Sequence, residues 1–440
     1  MNDLPQPPLS TTFHDVEFQH DPATSSGQVA NMSKHDATTD FPDGGREAWL
    51  VVLGGWCGLF VSFGWITCIG VFQTYYTTTL LSAYSSSTIA WIPSFETFAL
   101  FIGAPLFGRL FDSYGPRWLL VGGSFFHVLG LMMVSLSGTY WQVFLAQSVC
   151  SALGAGAVFW ACNNAVGTWF GRRRGLAMGV LSSGSSVGGV VGTASIPTMI
   201  EKVGFGWSMR IVAFMFLFLL SITILTVRSR LVHKPSKMYA RDIVTPLKEM
   251  PVWTLSIAAF FFFLGVFLPY NFLVVEAVDK GMSPKEANNL LVILSSTSII
   301  GRIIPGWLGD RYGRFNIMIL TTYLSSLLVL AFWIPAPSNA ARLGFSGLYG
   351  FSSGTFVSMI PTLIVQVCAD LKHIGAYMGA VYLVLCPAIL FGQPIGGALA
   401  MPGYVWMKVF SGMTMFMGGV GFVVARSVYI RRKGRVGWRI

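Results

Sequence analysis

Charged side chains are scarce in this chain. Asp, Glu, Lys and Arg make up 11% of its 440 residues, against about a quarter in a typical soluble domain. So little charge cannot coat a globule of this size, which disfavours a soluble enzyme, a disordered regulator and a nucleic-acid-binding domain, although the net charge is +11. Cysteine is also scarce, and none of the six has the C-x-x-C spacing of a metal or redox site. We therefore expect no metal, no other cofactor and no nucleic-acid partner.

Apolar residues dominate instead, at 53% of the chain, together with 49 glycines. From residue 48 onward, segments long enough to cross about 30 Å of hydrocarbon follow one another with short breaks. We predict twelve transmembrane helices, at 49–72, 88–108, 118–137, 141–165, 176–199, 207–227, 252–275, 288–308, 315–335, 343–366, 375–400 and 404–425. The predicted fold class is an all-α polytopic membrane protein that lies in the lipid bilayer.

Polar segments set the predicted domain boundaries. Residues 1–46 form a Pro-, Ser- and Thr-rich acidic tail, which is typical of disorder. The first six spans form an N-terminal half at 47–227, and a polar central loop occupies 228–250. The other six spans form a C-terminal half at 251–428, followed by a basic tail at 429–440.

The positions of Lys and Arg predict the orientation in the membrane. If the N-terminal tail is cytoplasmic, 22 of the 29 basic residues fall on the cytoplasmic side, as the positive-inside rule requires. We therefore expect an integral multi-pass protein, in the plasma membrane, with both termini in the cytoplasm. The run Arg172-Arg173-Arg174 is expected to hold its loop against the anionic lipid leaflet rather than to bind nucleic acid.

The two halves repeat each other in sequence. Two glycines and an aspartate recur in the loops after the second and eighth spans at an offset of 198, as Gly108, Asp112 and Gly115 and then as Gly306, Asp310 and Gly313, and an arginine follows each set, at Arg117 and at Arg314. The small-residue segment beginning at Gly175 in the fifth span returns at Gly375 in the eleventh, at an offset of 200. Two matches at nearly one offset predict two parallel six-helix halves related by an axis along the membrane normal.

The loop pattern G-x-x-x-D-x-x-G-x-R, complete in the first half and repeated in the second with Arg314 directly after Gly313, resembles the cytoplasmic motif of the major facilitator superfamily. The resemblance covers residues 47–428. In that reading the glycines permit the tight turns. An aspartate such as Asp112 accepts hydrogen bonds from a neighbouring helix N-terminus and from arginine, which makes a latch that closes a cytoplasmic gate.

Within that superfamily the chain resembles the monocarboxylate porter family, in its fungal-type branch. The segment from Trp169 to Gly179 matches that family's signature at the start of the fifth span, and Asp43 to Trp49 partly matches its other signature. The resemblance implies alternating access and a substrate-binding arginine in the eighth span. Arg302 occupies that position, and its guanidinium fork suits a carboxylate. Pairing of Arg302 with a neighbouring polar helix is the structural alternative.

Proton coupling departs from that pattern. Where proton-coupled monocarboxylate porters carry an aspartate and a lysine, this chain has Ser298 and Thr67. Glu96 is a substitute coupling candidate, because charge inside a span is costly and indicates function; snorkelling or structural hydrogen bonding is its alternative. His127 is expected to be a satisfied interface residue rather than a proton relay.

Other polar side chains in the spans are candidates for a substrate cavity, namely Asn163, Asn164, Tyr270, Asn271, Tyr382 and Gln393. An aromatic-rich cavity suits a larger planar or amphipathic substrate better than lactate. We predict a secondary transporter for a small organic anion or amphipathic metabolite, with efflux of a secondary metabolite slightly favoured. Uptake of a monocarboxylate or riboflavin-like solute and a non-transporting receptor on the same fold stay open, as does the oligomeric state. A membrane enzyme or an ATP-driven pump is disfavoured, because no clustered catalytic groups or phosphate-cradling loop is present.

Overall fold

A computed structural model describes residues 41–233, 235, 241, 244–336, 338–400 and 403–433. Most of the predicted N-terminal tail and the end of the C-terminal tail lie outside these residues. Twelve helices within the described ranges are long and apolar enough to cross a membrane, and those ranges contain no β-strand. They are α1 (Arg46–Phe72), α2 (Trp91–Tyr114), α3 (Pro116–Val134), α4 (Tyr140–Trp169), α5 (Arg174–Val203), α6 (Phe205–Thr226), α7 (Met250–Asp279), α8 (Glu286–Tyr312), α9 (Arg314–Trp333), α10 (Asn339–Val367), α11 (Leu371–Leu399) and α12 (Val405–Arg432).

Short polar and glycine signals separate these helices. Ser85 caps the helix Ser86–Ile102, which includes the first part of α2, and Ser338 caps α10; each side chain accepts a backbone N–H three residues later at 3.2 Å. Gly115 and Gly313 have φ of 75° and 101°, a region that favours glycine. These two glycines turn the chain from α2 into α3 and from α8 into α9, at the positions that the repeated motif predicts.

Several spans are interrupted or extended relative to the predicted bounds. α1 is broken at Ser62, α2 at Gly103 and α7 at Phe267. The helix of α12 continues to Lys433, so the first part of the segment assigned to the basic tail is helical. The helix thus continues past residue 425, where the predicted span ends, because lysine and arginine are good helix formers.

The helices pack as two groups of six, α1–α6 and α7–α12, that meet along two lines. α5 packs against α8, and α2 packs against α11. We call these lines the α5–α8 seam and the α2–α11 seam. We call the end of the bundle that carries Asp112 and Asp310 the aspartate end, and the other end the opposite end. Both seams run from the aspartate end towards the middle of the bundle, and both join one half to the other.

Candidate functional site

Asp112, in the last turn of α2, crosses the α2–α11 seam. Its two carboxylate oxygens accept the backbone N–H groups of Gly375 and Ala376, each at 2.8 Å. These N–H groups belong to the first turn of the α-helical part of α11, which begins at Ile374, and no intrahelical acceptor is available there. The carboxylate therefore caps a helix of the other half and also meets the positive end of that helix dipole.

Asp310 makes the equivalent contact on the α5–α8 seam. Its carboxylate oxygens accept the N–H groups of Gly175 and Leu176, each at 2.9 Å. Arg314 donates to the same carboxylate at 2.8 Å and to the carbonyl oxygen of Gly171 at 2.6 Å. Nη2 of Arg314 thus joins Asp310 in its own half to Gly171 in the other half. The counterpart of Arg314 in the N-terminal half, Arg117, is exposed.

Glycine allows the seams to close to backbone contact. A Cβ atom on Gly108 would lie 2.1 Å from the carbonyl oxygen of Gly375, and one on Gly306 would lie 2.3 Å from that of Gly175. No side chain fits in either place, because the obstacle is backbone rather than a flexible side chain. The aspartate end of the bundle is therefore closed on both seams.

Asp43, which precedes α1, holds the loop between α4 and α5. Its Oδ1 accepts the N–H groups of Gly171 at 2.7 Å and Arg172 at 2.8 Å. This contact gives the aspartate of the partly matched signature a physical role, which the sequence did not reveal. Arg172 and Arg173 are exposed beside it and line an open groove of about 920 Å³ together with Arg311.

Arg302 lies on the α5–α8 seam, ten residues before the end of α8 and so about 15 Å from it. Its side chain is only 3% exposed. Nη1 donates to the carbonyl oxygen of Ser182 at 2.5 Å and to Oγ of Ser185, both on α5. Nε is buried with no hydrogen-bond partner in the described part of the chain. No carboxylate among those residues forms an ion pair with this guanidinium.

Tyr382 lies on the α2–α11 seam, where its ring stacks on Phe101 across the two halves. The ring centroids are 5.6 Å apart and the planes differ by 7°. Trp160 packs edge-on against Tyr382 at 4.5 Å, and Phe263 packs against Phe101 at 5.9 Å. All four rings are buried. Phe101 and Trp160 were missed in the sequence, because aromatic residues in a span face lipid as readily as a cavity.

Glu96, in α2, is fully buried in a network of neutral groups. Its carboxylate accepts Nε1–H of Trp65 at 2.7 Å and an amide N–H of Gln147 at 2.9 Å. The hydroxyl of Tyr76 donates to the amide oxygen of Gln147 at 2.6 Å. Glu96 is therefore buried among neutral hydrogen-bond donors and has no basic partner in the described ranges.

His127, in α3, bridges two other helices. Nε2 lies 3.1 Å from the carbonyl oxygen of Val61, and Nδ1 lies 2.9 Å from Oγ of Ser151. Nδ1 also lies 3.2 Å from the carbonyl oxygen of Ser151, so each ring nitrogen faces a backbone carbonyl and either one can carry the hydrogen of the neutral ring. Both nitrogens of His127 thus have partners within the helix interface.

The remaining candidates make their hydrogen bonds elsewhere than at Arg302, although Tyr270 lies near enough to Arg302 to interact with it electrostatically. Asn163 donates to the carbonyl oxygen of Phe159 on its own helix at 2.9 Å. Asn164 is fully buried, and both polar atoms of its side chain are without a partner in the described ranges. The hydroxyl of Tyr270 lies 3.2 Å from Oγ of Ser353. Two further residues complete the predicted set: Asn271 is exposed, and the half-buried Gln393 has an unpartnered side-chain oxygen within the described chain.

A buried ion pair near the opposite end was not predicted. Lys408 of α12 donates to Glu276 of α7 at 2.6 Å and to the carbonyl oxygen of Trp333 at 3.0 Å. The exposed Lys280 donates to the same oxygen of Glu276 at 2.5 Å. Glu276 was overlooked because the predicted seventh span ended one residue earlier, which made the acid look like part of a loop.

Twelve spans in two related halves, closed against each other at one end, define a multi-pass membrane protein of the secondary-transporter class. The family model described as Major Facilitator Superfamily matches residues 54–275 and 255–437. The chain belongs to the Major Facilitator Superfamily and is a transporter of that family.

Several fungal proteins resemble this chain over most of its length. "MFS-type transporter 1" of Ophiocordyceps sp. is 46% identical over 391 residues, covering 88% of this chain and 87% of that protein. The "Fujikurins efflux protein" of Gibberella fujikuroi is 41% identical over 397 residues, covering 89% and 85%. Among solved structures, the E. coli fucose:proton symporter FucP shares the fold with a TM-score of 0.66 at 14% identity, over 85% of this chain and 98% of that one.

Proposed function

We propose that this transporter exports a small organic anion or amphipathic metabolite by alternating access, with Arg302 as its anion anchor. The supporting observation is the state of that guanidinium. It is buried, it has no acidic partner among the described residues, and its Nε–H is not satisfied there. A buried charge without a counter-ion is costly inside a membrane. An anionic substrate supplies that counter-ion and can use the fork geometry of the guanidinium.

Export is favoured over uptake by two observations. Relatives of this chain include a protein named for fujikurin efflux. The chain also has Ser298 and Thr67 where the monocarboxylate porters that it resembles carry their proton-symport pair. The same resemblance, together with Arg302, supports uptake of a monocarboxylate or riboflavin-like solute as the second candidate.

In this proposal the two aspartates operate the gate. Asp112 and Asp310 each cap a helix of the opposite half, so each releases two hydrogen bonds when its seam opens. We place the aspartate end in the cytoplasm of a plasma-membrane protein, with both termini on that side. Exposed arginines at this end, including Arg117 and Arg311, support that orientation.

Glu96 is the proposed coupling site. Neutral donors alone approach its carboxylate in the described chain, so its negative charge has no compensating cation there. A proton is the smallest ion that neutralises such a group, and alternate protonation would couple a proton gradient to the transport cycle. Cys68 of α1 and Tyr76, which follows α1, are nearby titratable side chains, and both are buried.

Metabolite profiling of cells and medium tests this proposal. Cells with the transporter should release at least one anionic metabolite that cells without it retain. Cells that express the R302A variant at equal surface level should retain that metabolite, as cells without the transporter do. Arg210→Ala is the matched control, because Arg210 has a side-chain partner in Ser135 and packs on Trp207 near the opposite end. Unchanged export by R302A would rule out the anion anchor, and ligand binding without flux would indicate a receptor.

A further inference from the structure

We infer that the substrate is a planar anion, aromatic or conjugated, whose charged group binds Arg302 and whose ring stacks against Phe101 and Tyr382. This inference rests on the proposed export of an organic anion and adds the chemical class of the substrate and a second contact. It rests on the contacts that each seam makes at its inner end, in the middle of the bundle.

The two seams are equivalent by the internal repeat. Arg302 corresponds to Ala104 at the offset of 198, and Ser182 corresponds to Tyr382 at the offset of 200. The close approaches correspond in the same way. A Cβ on Gly179 would lie 2.4 Å from the carbonyl oxygen of Arg302, and one on Gly379 would lie 2.6 Å from Cα of Pro105. Phe101 corresponds to Ile299 at the offset of 198, so the arginine contact and the aromatic stack lie within about one helical turn of the same depth, one on each seam.

The two seams differ in chemistry at that depth. On the α5–α8 seam a cation donates to a carbonyl oxygen and a hydroxyl, those of Ser182 and Ser185. On the α2–α11 seam, the ring of Phe101 lies nearly parallel to that of Tyr382. The place where the halves meet thus offers one cationic contact and one flat aromatic contact. That pair of contacts complements a solute with one anionic group and one planar ring.

Further aromatic rings connect the two contacts. Phe263 lies 5.9 Å from Phe101 and 4.6 Å from Phe356 of α10. In the same segment of α10, Ser358 donates to the carbonyl oxygen of Arg302 at 3.3 Å. Phe263 and Phe356 therefore link the stack to the segment of α10 that contacts the arginine backbone.

Opening of the aspartate end explains why a planar ring is preferred. Phe101 belongs to one half and Tyr382 to the other, so their stack is lost when the halves separate. A planar solute ring restores an offset-stacked contact to either side chain, whereas a saturated ring of the same size offers no π-face. The solute ring then replaces the contact that Phe101 and Tyr382 otherwise make with each other.

The test uses the full-length purified protein, with thermal stabilisation as the binding readout and tracer flux in proteoliposomes as the transport readout. The probes are 2-naphthoate, its saturated decahydro counterpart and the neutral 2-naphthamide. We expect 2-naphthoate to bind about 2- to 10-fold more tightly than the saturated acid. F101L and Y382L should each lose that preference, while Y382F should keep it because the ring remains. R302Q should lose the preference for the acid over the amide.

Phe345→Leu is the matched control, because Phe345 is a buried ring stacked on Trp333 at 5.1 Å within one half. It should retain the planar preference. Equal binding of planar and saturated acids, a preference unchanged in both F101L and Y382L, or no binding of either acid would overturn the inference. The proposed export is tested separately from this inference. Binding of planar anions without flux would contradict export but not the substrate class. Flux of anions without a preference for planar rings would contradict the substrate class but not export.

Discussion

Arg302 of one half donates to the carbonyl oxygen of Ser182 in the other half at 2.5 Å, in the interior of the bundle. Ser182 uses its backbone for this contact, while its own hydroxyl donates to Gly179 within α5. Ser185 contributes its hydroxyl, which accepts from the same Nη1 and donates to the carbonyl oxygen of Ser182. Nη1 of Arg302 is thereby fixed, while Nε faces no partner in the described residues.

This difference between the two serines gives a prediction with an internal control. S185A removes a side-chain acceptor from Arg302, so the guanidinium loses orientation, and the apparent KM for an anionic substrate should rise several-fold. S182A leaves the backbone acceptor in place and should leave KM within about twofold of wild type. Flux measured over a range of substrate concentrations separates the two variants. Equal effects of S182A and S185A would contradict a positioning role for the Ser185 hydroxyl.

The aspartate contacts predict how the gate responds to loss of charge. D112N and D310N each weaken two charge-assisted bonds to helix N–H groups, which are worth roughly 1.5–3 kcal/mol each. The aspartate end should therefore open more often. Spin labels at the exposed Tyr114 and Lys372, in a background without native cysteines, should show a larger population of long distances. Asp279→Asn, at the opposite end, should leave that distribution unchanged, and a change of equal size in D279N would contradict the gate.

Glycine at the seams predicts a sharp contrast between two identical substitutions. G108A places a methyl group 2.1 Å from a backbone oxygen of α11, so α2 and α11 must move apart. G122A lies in α3 with nothing within 4 Å, and alanine is the better helix former by about 1 kcal/mol. We expect G108A to lower the melting temperature and the transport rate, and G122A to preserve both. Thermal melting of the purified variants decides this, and a G108A protein as stable as wild type would contradict backbone contact at the seam.

Glu96 predicts the pH dependence of transport. E96Q keeps the size of the side chain and one of its two acceptor oxygens but cannot release a proton. If Glu96 couples transport to protons, E96Q should still exchange substrate across the membrane but should no longer accumulate it in response to an imposed pH gradient. Counterflow and pH-driven uptake in proteoliposomes measure the two activities. Glu201→Gln, at an exposed position, should retain both. A pH-driven flux that persists in E96Q would exclude this carboxyl as the coupling site.

The architecture was predictable because membrane spans leave strong signals. Long apolar runs predict twelve spans. The offsets of 198 and 200 pair Asp112 with Asp310 and Gly175 with Gly375 from the sequence alone. Span ends were less predictable, because α12 continues through Arg426 to Lys433. A helix can extend beyond the hydrocarbon core once its polar residues reach water or lipid headgroups.

The side-chain contacts were less accessible to sequence reasoning. Arg302 stands out as a charge within a span, but its partners on α5 are serines, which are common throughout the chain. Phe101 carries no signal of its own among 35 phenylalanines. The repeat offsets contained the information that was missing about the seams. Tyr382 is equivalent to Ser182 at the offset of 200, so the two residues occupy equivalent positions, one on each seam. The Glu276–Lys408 pair was not predicted, because the predicted seventh span ended at residue 275, one residue before Glu276.

Tracer efflux from proteoliposomes tests the central claim most directly. The vesicles contain the anionic metabolite that profiling identifies, with equal amounts of wild-type, R302K or R302A protein. We predict rapid efflux by wild type, reduced efflux by R302K, which keeps the charge but lacks the guanidinium fork, and efflux by R302A no faster than from protein-free vesicles. Wild-type efflux by a correctly folded R302A protein would contradict the assignment of Arg302 as the anion anchor.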